Sequence, residues 1–434
     1  MASDATILTG QVLLTRADPF EAPPEEALVV ERRGAVAIRE GRILAAGPEE
    51  AVRAAHPGAA VEAHGDALIA PGLIDAHAHY PQTGIVASWG ARLIEWLERY
   101  TFPEEARFGD PAHAAEVAAA HLDLLLAHGT TSVASFCTSH EASVDAFFAA
   151  AEARGMRVAG GLTAMDRHVP EPLRDTAQAA HDRSAALIAR WHGRGRATYA
   201  VSPRFAPTST PEQLEALGAL WAANPSCLVQ THLSEQLEEI AWVARLFPDA
   251  PDYLGVYERF GLLGPGALFG HAIHLTARER ARLAEAGAAV VHCPTSNAFI
   301  GSGLFDTARA RREGIAVGLA TDTGGGSSFS MLRTMAAAYE MGQLTSDGAL
   351  HPAQLLWLAT AGSARAMRIA DRVGRIAPGM EADLAVLDLA STPAIARRAR
   401  RAEGPWEAIF PTLMMGDDRA VRATYLQGRR VKGR

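Results

Sequence analysis

Between residues 67 and 324, short apolar runs alternate with stretches whose apolar positions recur at helical spacing. The segment 109–129, GDPAHAAEVAAAHLDLLLAHG, predicts a helix with Asp110 as N-cap, Pro111 in its first turn and Gly129 as terminator. TTSVASFC (130–137) follows, β-branched and apolar, as a buried strand. The alternation continues with a helix to Gly155, a strand at 156–166, a helix over 176–192, a strand at 197–205 and a helix near 211–223. Further strands are expected at 227–235, 267–275, 288–297 and 315–324, with helical stretches between them. With ALIAPGLIDAHAH (67–79) as the first, eight strands result. Their apolar runs are continuous, as in strands covered on both faces, and eight such units predict an α/β fold, a (β/α)8 TIM barrel.

The ends have another texture. TILTGQVLLT, GAVAIREGRILAAG and AVEAHGDALIA are short strand patterns with turn signals, and GRIAPGMEADLAVLDL and VRATYLQGRRV repeat it beyond residue 374. Residues 1–66 and 374–434 are therefore expected to form one small β-sandwich domain beside a catalytic barrel at 67–373.

Composition narrows the function. The 434 residues are 48% hydrophobic and 21% charged, with a net charge of −8, as in an ordinary soluble domain. The basic run ARRARRAEG (396–404) is short and reads as a solvated face, so no nucleic-acid partner is expected. No apolar stretch reaches membrane-spanning length and the N-terminus has no export pattern, so a cytoplasmic protein without a membrane partner is expected. Cys137, Cys227 and Cys293 are too widely spaced for a disulfide framework or a cysteine zinc cage. The sole lysine is Lys432, which excludes chemistry that needs an interior lysine.

The candidate chemistry lies at the strand ends. His77 and His79, two apart in PGLIDAHAH, face one side of their strand. His232, His271 and Asp322 fall near the C-terminal ends of the fifth, sixth and eighth predicted strands, on the face where barrel enzymes carry their sites. Glu235 follows His232 by three. A lone interior histidine is usually a hydrogen-bonded core residue. Imidazoles and a carboxylate gathered from four strand ends instead make a donor set suited to Zn²⁺ or Fe²⁺.

PGLIDAHAH resembles the opening strand of the amidohydrolase superfamily. That resemblance implies a barrel with a small β-sandwich and one metal ion per subunit, held by His77, His79, His232 and Asp322, with His271 a further ligand or an orienter of water. The two-metal branch uses a bridging lysine that this chain lacks. A closer resemblance, to the superfamily's guanine-deaminating branch, rests on residues 79–105, SPRFAPTSTPEQL, THLSEQLEEIAWV, HCPTSNAFIGSGLF and TDTGGGSSFSML. It implies hydrolysis of guanine to xanthine and ammonia by a zinc-activated water, in a homodimer. In that chemistry Glu235 supplies a proton to ring nitrogen N3, Asp322 acts as base and His271 polarises the water. Gln82, Arg204 and Phe205 become substrate contacts; without the resemblance, Arg204 reads as solvated and Phe205 as core. His168 stands where asparagine is expected, and Ala272 where glycine is usual.

The remaining motifs read plainly. TGGGSS after Asp322 lacks a P-loop's lysine and reads as a flexible loop. RLIEWLERYTF reads as a packed or interface helix. His64, His113, His121, His128, His181 and His192 are read as structural, and His292 and His274 stay open between packing and support of the site. Rival functions are deamination of a related ring such as 8-oxoguanine, ring opening of a cyclic amide, and a barrel that serves only as a scaffold.

Overall fold

The computed structural model describes residues 5–89, 93–345, 348 and 350–433. Among these, eight parallel strands form the barrel: Leu73–His79, Thr130–Phe136, Arg157–Gly161, Ala197–Pro203, Leu228–Leu233, Ala267–His271, Ala289–His292 and Ala316–Leu319. They pair in chain order, and the short strand Thr163–Ala164 adds to the fourth. The seam between the first and last strands is closed by two hydrogen bonds. Asp322 N donates to His77 O (2.9 Å) and His79 N to Thr323 O (3.1 Å).

Local chemistry sets the helices between them. Asp110 caps Pro111–Ala127 by accepting from Ala112 N, and Thr176 and Thr210 cap Ala177–Trp191 and Pro211–Ala223 in the same way. Gly155, at φ 70°, ends Glu141–Arg154 in the left-handed conformation.

The terminal segments pair into one seven-stranded sheet. Its order is Arg429–Gly433, Val421–Leu426, Leu384–Leu387, Ala60–Pro71, Thr6–Thr15, Leu28–Arg39 and Arg42–Pro48. The sheet curls so that Leu8, Val36, Ile69, Val386 and Tyr425 share one buried cluster. Arg157 and Arg196 anchor it to the barrel floor through Glu381, at 2.7 Å and 2.5 Å.

Two sequence expectations shift. Residues 67–71 pair in the small sheet (Ile69 opposite Val12, Leu68 opposite Leu387), so the first barrel strand starts at Leu73. Gly72 makes the crossing because a Cβ there would stand 2.1 Å from Thr131 Oγ1. The later strands end short of their expected bounds. The chain turns at Ser234, His271, Ala272 and Asp322, all at positive φ (47°, 66°, 49° and 47°). No helix among the described residues is long and apolar enough to cross a membrane.

Candidate active site

Strand alternation turns His77 and His79 inward from the first barrel strand, and the fifth brings His232 opposite. The Nε2 atoms of His79 and His232 lie 3.2 Å apart, and Asp322 Oδ1 is 3.4 Å from the Nε2 of both His77 and His79. Two donors at opposite ends of a tetrahedral edge around an ion at ~2.1 Å would be about 3.4 Å apart, so the spacing matches a small divalent cation. His77 Nε2, which faces the cluster, is buried with no hydrogen-bond partner, a costly arrangement without a ligand. The residues fit a metal.

Neighbours orient the rings. His232 Nδ1 donates to Arg204 O (2.7 Å) and His271 Nδ1 to Asn297 Oδ1 (2.9 Å). Each bond places the proton on Nδ1 and leaves Nε2 facing the cluster. His79 stacks on Phe136 at 4.7 Å. Gly270 gives His77 its room, since a Cβ there would lie 2.7 Å from His77 Cε1.

The electrostatics suit ligands. Burial pushes the pKa of His77, His79 and His232 down, so these imidazoles stay neutral. Burial alone would raise Asp322, but its side-chain contact with His77 and the charge on His271 outweigh it and hold the carboxyl well below its usual range. His271 runs the other way: burial lowers it, yet Glu235 and Asp322 bring it above the ordinary value. Its Nε2 is 3.5 Å from Glu235 Oε2 and 3.8 Å from Asp322 Oδ2. Burial also raises Glu235, aided by Asp322, so a proton is held there more readily than on a free glutamate. Cys293 lies near His77 and His271, but burial keeps its thiol protonated, unsuited to binding an ion.

Glu235 is held from both sides. Ser302 Oγ donates to its Oε1 (2.8 Å), and Glu239 Oε2 accepts from the backbone N–H of Glu235 (2.9 Å) and Gln236 (3.1 Å). Tyr253 OH donates to Glu239 Oε1 (2.8 Å), and burial pushes the Glu239 carboxyl up to about 7. His274 Nε2 lies 2.9 Å from Ser302 O and steadies that loop.

Beside the ligand candidates, one cleft is lined by Gln82, Arg204 and Phe205 together with His79, His232, Glu235, His271 and Asp322. Every residue singled out for chemistry from the sequence thus meets at one place, apart from His77, which lies beneath as a fully buried ligand candidate. Phe205 is 4% exposed, its ring 6.2 Å from Trp242. Leu93, Trp96 and Leu97 close the cleft's apolar side, so the helical stretch expected to be packing or interface is a wall of the site. The TGGGSS loop is also firmer than expected. Gly324, Gly325 and Gly326 are buried, and a Cβ at Gly325 would stand 3.0 Å from Asp322 Oδ2.

Residues 68–431 match the amidohydrolase family. The chain is 42% identical to guanine deaminase of Escherichia coli over 84% of this chain and 83% of that one. The chain belongs to the amidohydrolase family. The solved E. coli guanine deaminase superposes with a TM-score of 0.95, at 39% identity, covering 99% of this chain and all of that one. A guanine deaminase from C. acetobutylicum, solved with guanine in its active site, superposes at 0.89 with 25% identity, covering 99% and 100%.

The departures of this amidohydrolase from its family pattern have physical readings. His168 sits at φ 51°, in the region that asparagine and histidine tolerate better than most, and its Nδ1 is 2.7 Å from Pro207 O. Ala272, at φ 49°, takes up strain that glycine would avoid. His292 packs on Phe305 at 5.0 Å, with its pKa driven down to about 3 by burial. Sequence reasoning missed Glu105, Glu239, Asn297 and Ser302. All four fall within the stretches that carry the resemblance, and Glu239 is also the fourth residue of the capping box that starts at Gln236.

Proposed function

We propose that this amidohydrolase hydrolyses guanine at C2, giving xanthine and ammonia. The observation that carries the reading is one cleft lined by a metal-type donor cluster, Glu235, Gln82 and Arg204, in a chain similar along most of its length to guanine deaminases.

His77, His79, His232 and Asp322 would hold one zinc ion, with His271 beside it; Fe²⁺ would suit the same donors. Bound there, such an ion would lower the pKa of a water molecule to about 7. Asp322 would be the base that takes a proton from water and passes it to the departing amine. Glu235, raised by burial, carries the proton that ring nitrogen N3 needs as C2 loses its aromatic character, and takes the C2 hydroxyl proton as ammonia leaves and the C2 carbonyl forms. His271, fixed by Asn297, orients the attack. Arg204 donates to the ring carbonyl, Gln82 pairs with the ring edge, and Phe205 packs on its face. A homodimer and a cytoplasmic location belong to the same reading.

The test is ammonia release from guanine, adenine, cytosine and 8-oxoguanine by the zinc-loaded protein. Guanine is expected to be the preferred substrate. Release from adenine and none from guanine overturns the substrate, and a silent panel overturns the reaction.

A further inference from the structure

Glu105 lies fully buried at the end of the short helix Phe102–Glu105, and its two carboxylate oxygens serve different partners. Oε1 accepts from Gln82 Nε2 at 2.9 Å, and Oε2 from Arg204 Nη1 at 2.7 Å. An ionised carboxylate has no hydrogen to give, so only the NH₂ end of Gln82 satisfies it. The amide oxygen of Gln82 is thereby turned away from Glu105. It packs beside Gly324, where a Cβ would stand 1.9 Å from it. Arg204, whose guanidinium carries further N–H groups, lines the cleft together with Gln82. The recognition end therefore offers an acceptor next to donors, the complement of an N–H beside a C=O.

We infer that Glu105 is a positioning residue which, by fixing the amide of Gln82 and the guanidinium of Arg204, makes the cleft select rings with a lactam edge (N1–H beside C6=O). Rings whose N1 is a bare acceptor are refused. The inference rests on the guanine reading above and adds to it the source of discrimination. A carboxylate that only neutralised Arg204 would need no bond to Gln82. With a neutral amide at position 105, Gln82 can turn over and present N–H to the ring, which suits an acceptor at N1 and opposes a lactam.

Two substrates separate the possibilities: guanine, and 2-aminopurine, which carries the same amine at C2 but no carbonyl at C6 and no hydrogen on N1. For Glu105→Gln with normal metal content, kcat/KM for guanine is expected to fall about 100-fold while that for 2-aminopurine changes by less than about threefold. If 2-aminopurine turnover is below detection, its inhibition constant against guanine replaces it. Equal losses on both rings, or no change on either, overturn the inference. If Glu105→Gln does not fold, Gln82→Met, which leaves the Glu105–Arg204 pair whole, must lower the preference for guanine; an unchanged preference overturns it equally. An unaltered protein that is inactive on guanine sinks the proposed function, and this inference with it. An active protein whose preference survives Glu105→Gln sinks the inference alone.

Discussion

The backbone amide of Asp322 donates to the carbonyl of His77 at 2.9 Å, and this bond helps close the barrel. The same two residues bring Oδ1 and Nε2 within 3.4 Å of each other on the side-chain side. Fold closure and the donor cluster are one piece of geometry, so a displacement of His77 is felt in both.

Gly270→Ala places a Cβ 2.7 Å from His77 Cε1 and 3.0 Å from its Nδ1. The ring or the sixth strand must move. Affinity for zinc is expected to drop 10- to 100-fold, read as metal per chain at dilute zinc by elemental analysis. Half-loading at the concentration that half-loads the unaltered protein would remove Gly270 from this role.

Glu235→Gln keeps the shape of the side chain and its contact with Ser302, but it cannot carry the transferred proton. Metal content is expected to stay unchanged while kcat falls by roughly 10² to 10⁴. Near-normal turnover would show that the proton travels another way.

His121 is fully buried, with Nδ1 2.9 Å from Thr83 Oγ1, and burial drives its pKa down to about 3 from an unfolded value of 6.5. The unfolded chain takes up a proton below pH 6.5 that the native state refuses. Stability from this group is therefore complete above 6.5 and is lost as pH falls towards 3. At pH 5 the loss is about 2 kcal/mol for this one histidine. His121→Leu should narrow the gap in denaturant stability between pH 7.5 and pH 5 by about that amount. An unaltered gap would mean that His121 does not govern this part of the acid response.

The parts of the site visible in the sequence are those tied to strand periodicity. His77 and His79 share a face because they are two apart, and His232, His271 and Asp322 mark places where apolar runs stop. Glu105 was hidden for the converse reason. It lies 23 residues after Gln82 and 99 before Arg204, and no local pattern announces that a helix end will put its carboxylate between them. The strands stop earlier than their apolar runs suggest because Ser234, His271 and Asp322 turn left-handed, which apolar residues on either side do not signal. The glycines after Asp322 looked like slack in the chain. They are small because Gln82, Ser296 and Asp322 press against them.

Arg204 is engaged at both ends, its carbonyl by His232 and its guanidinium by Glu105. The carbonyl survives any replacement of the side chain, whereas the guanidinium does not, and its loss would strand a buried negative charge. A lineage adapting this cleft to a new ring would then find little freedom at that position. Its room for innovation lies along the greasy wall of Leu93, Trp96 and Leu97, where a swap reshapes the opening without leaving a charge behind.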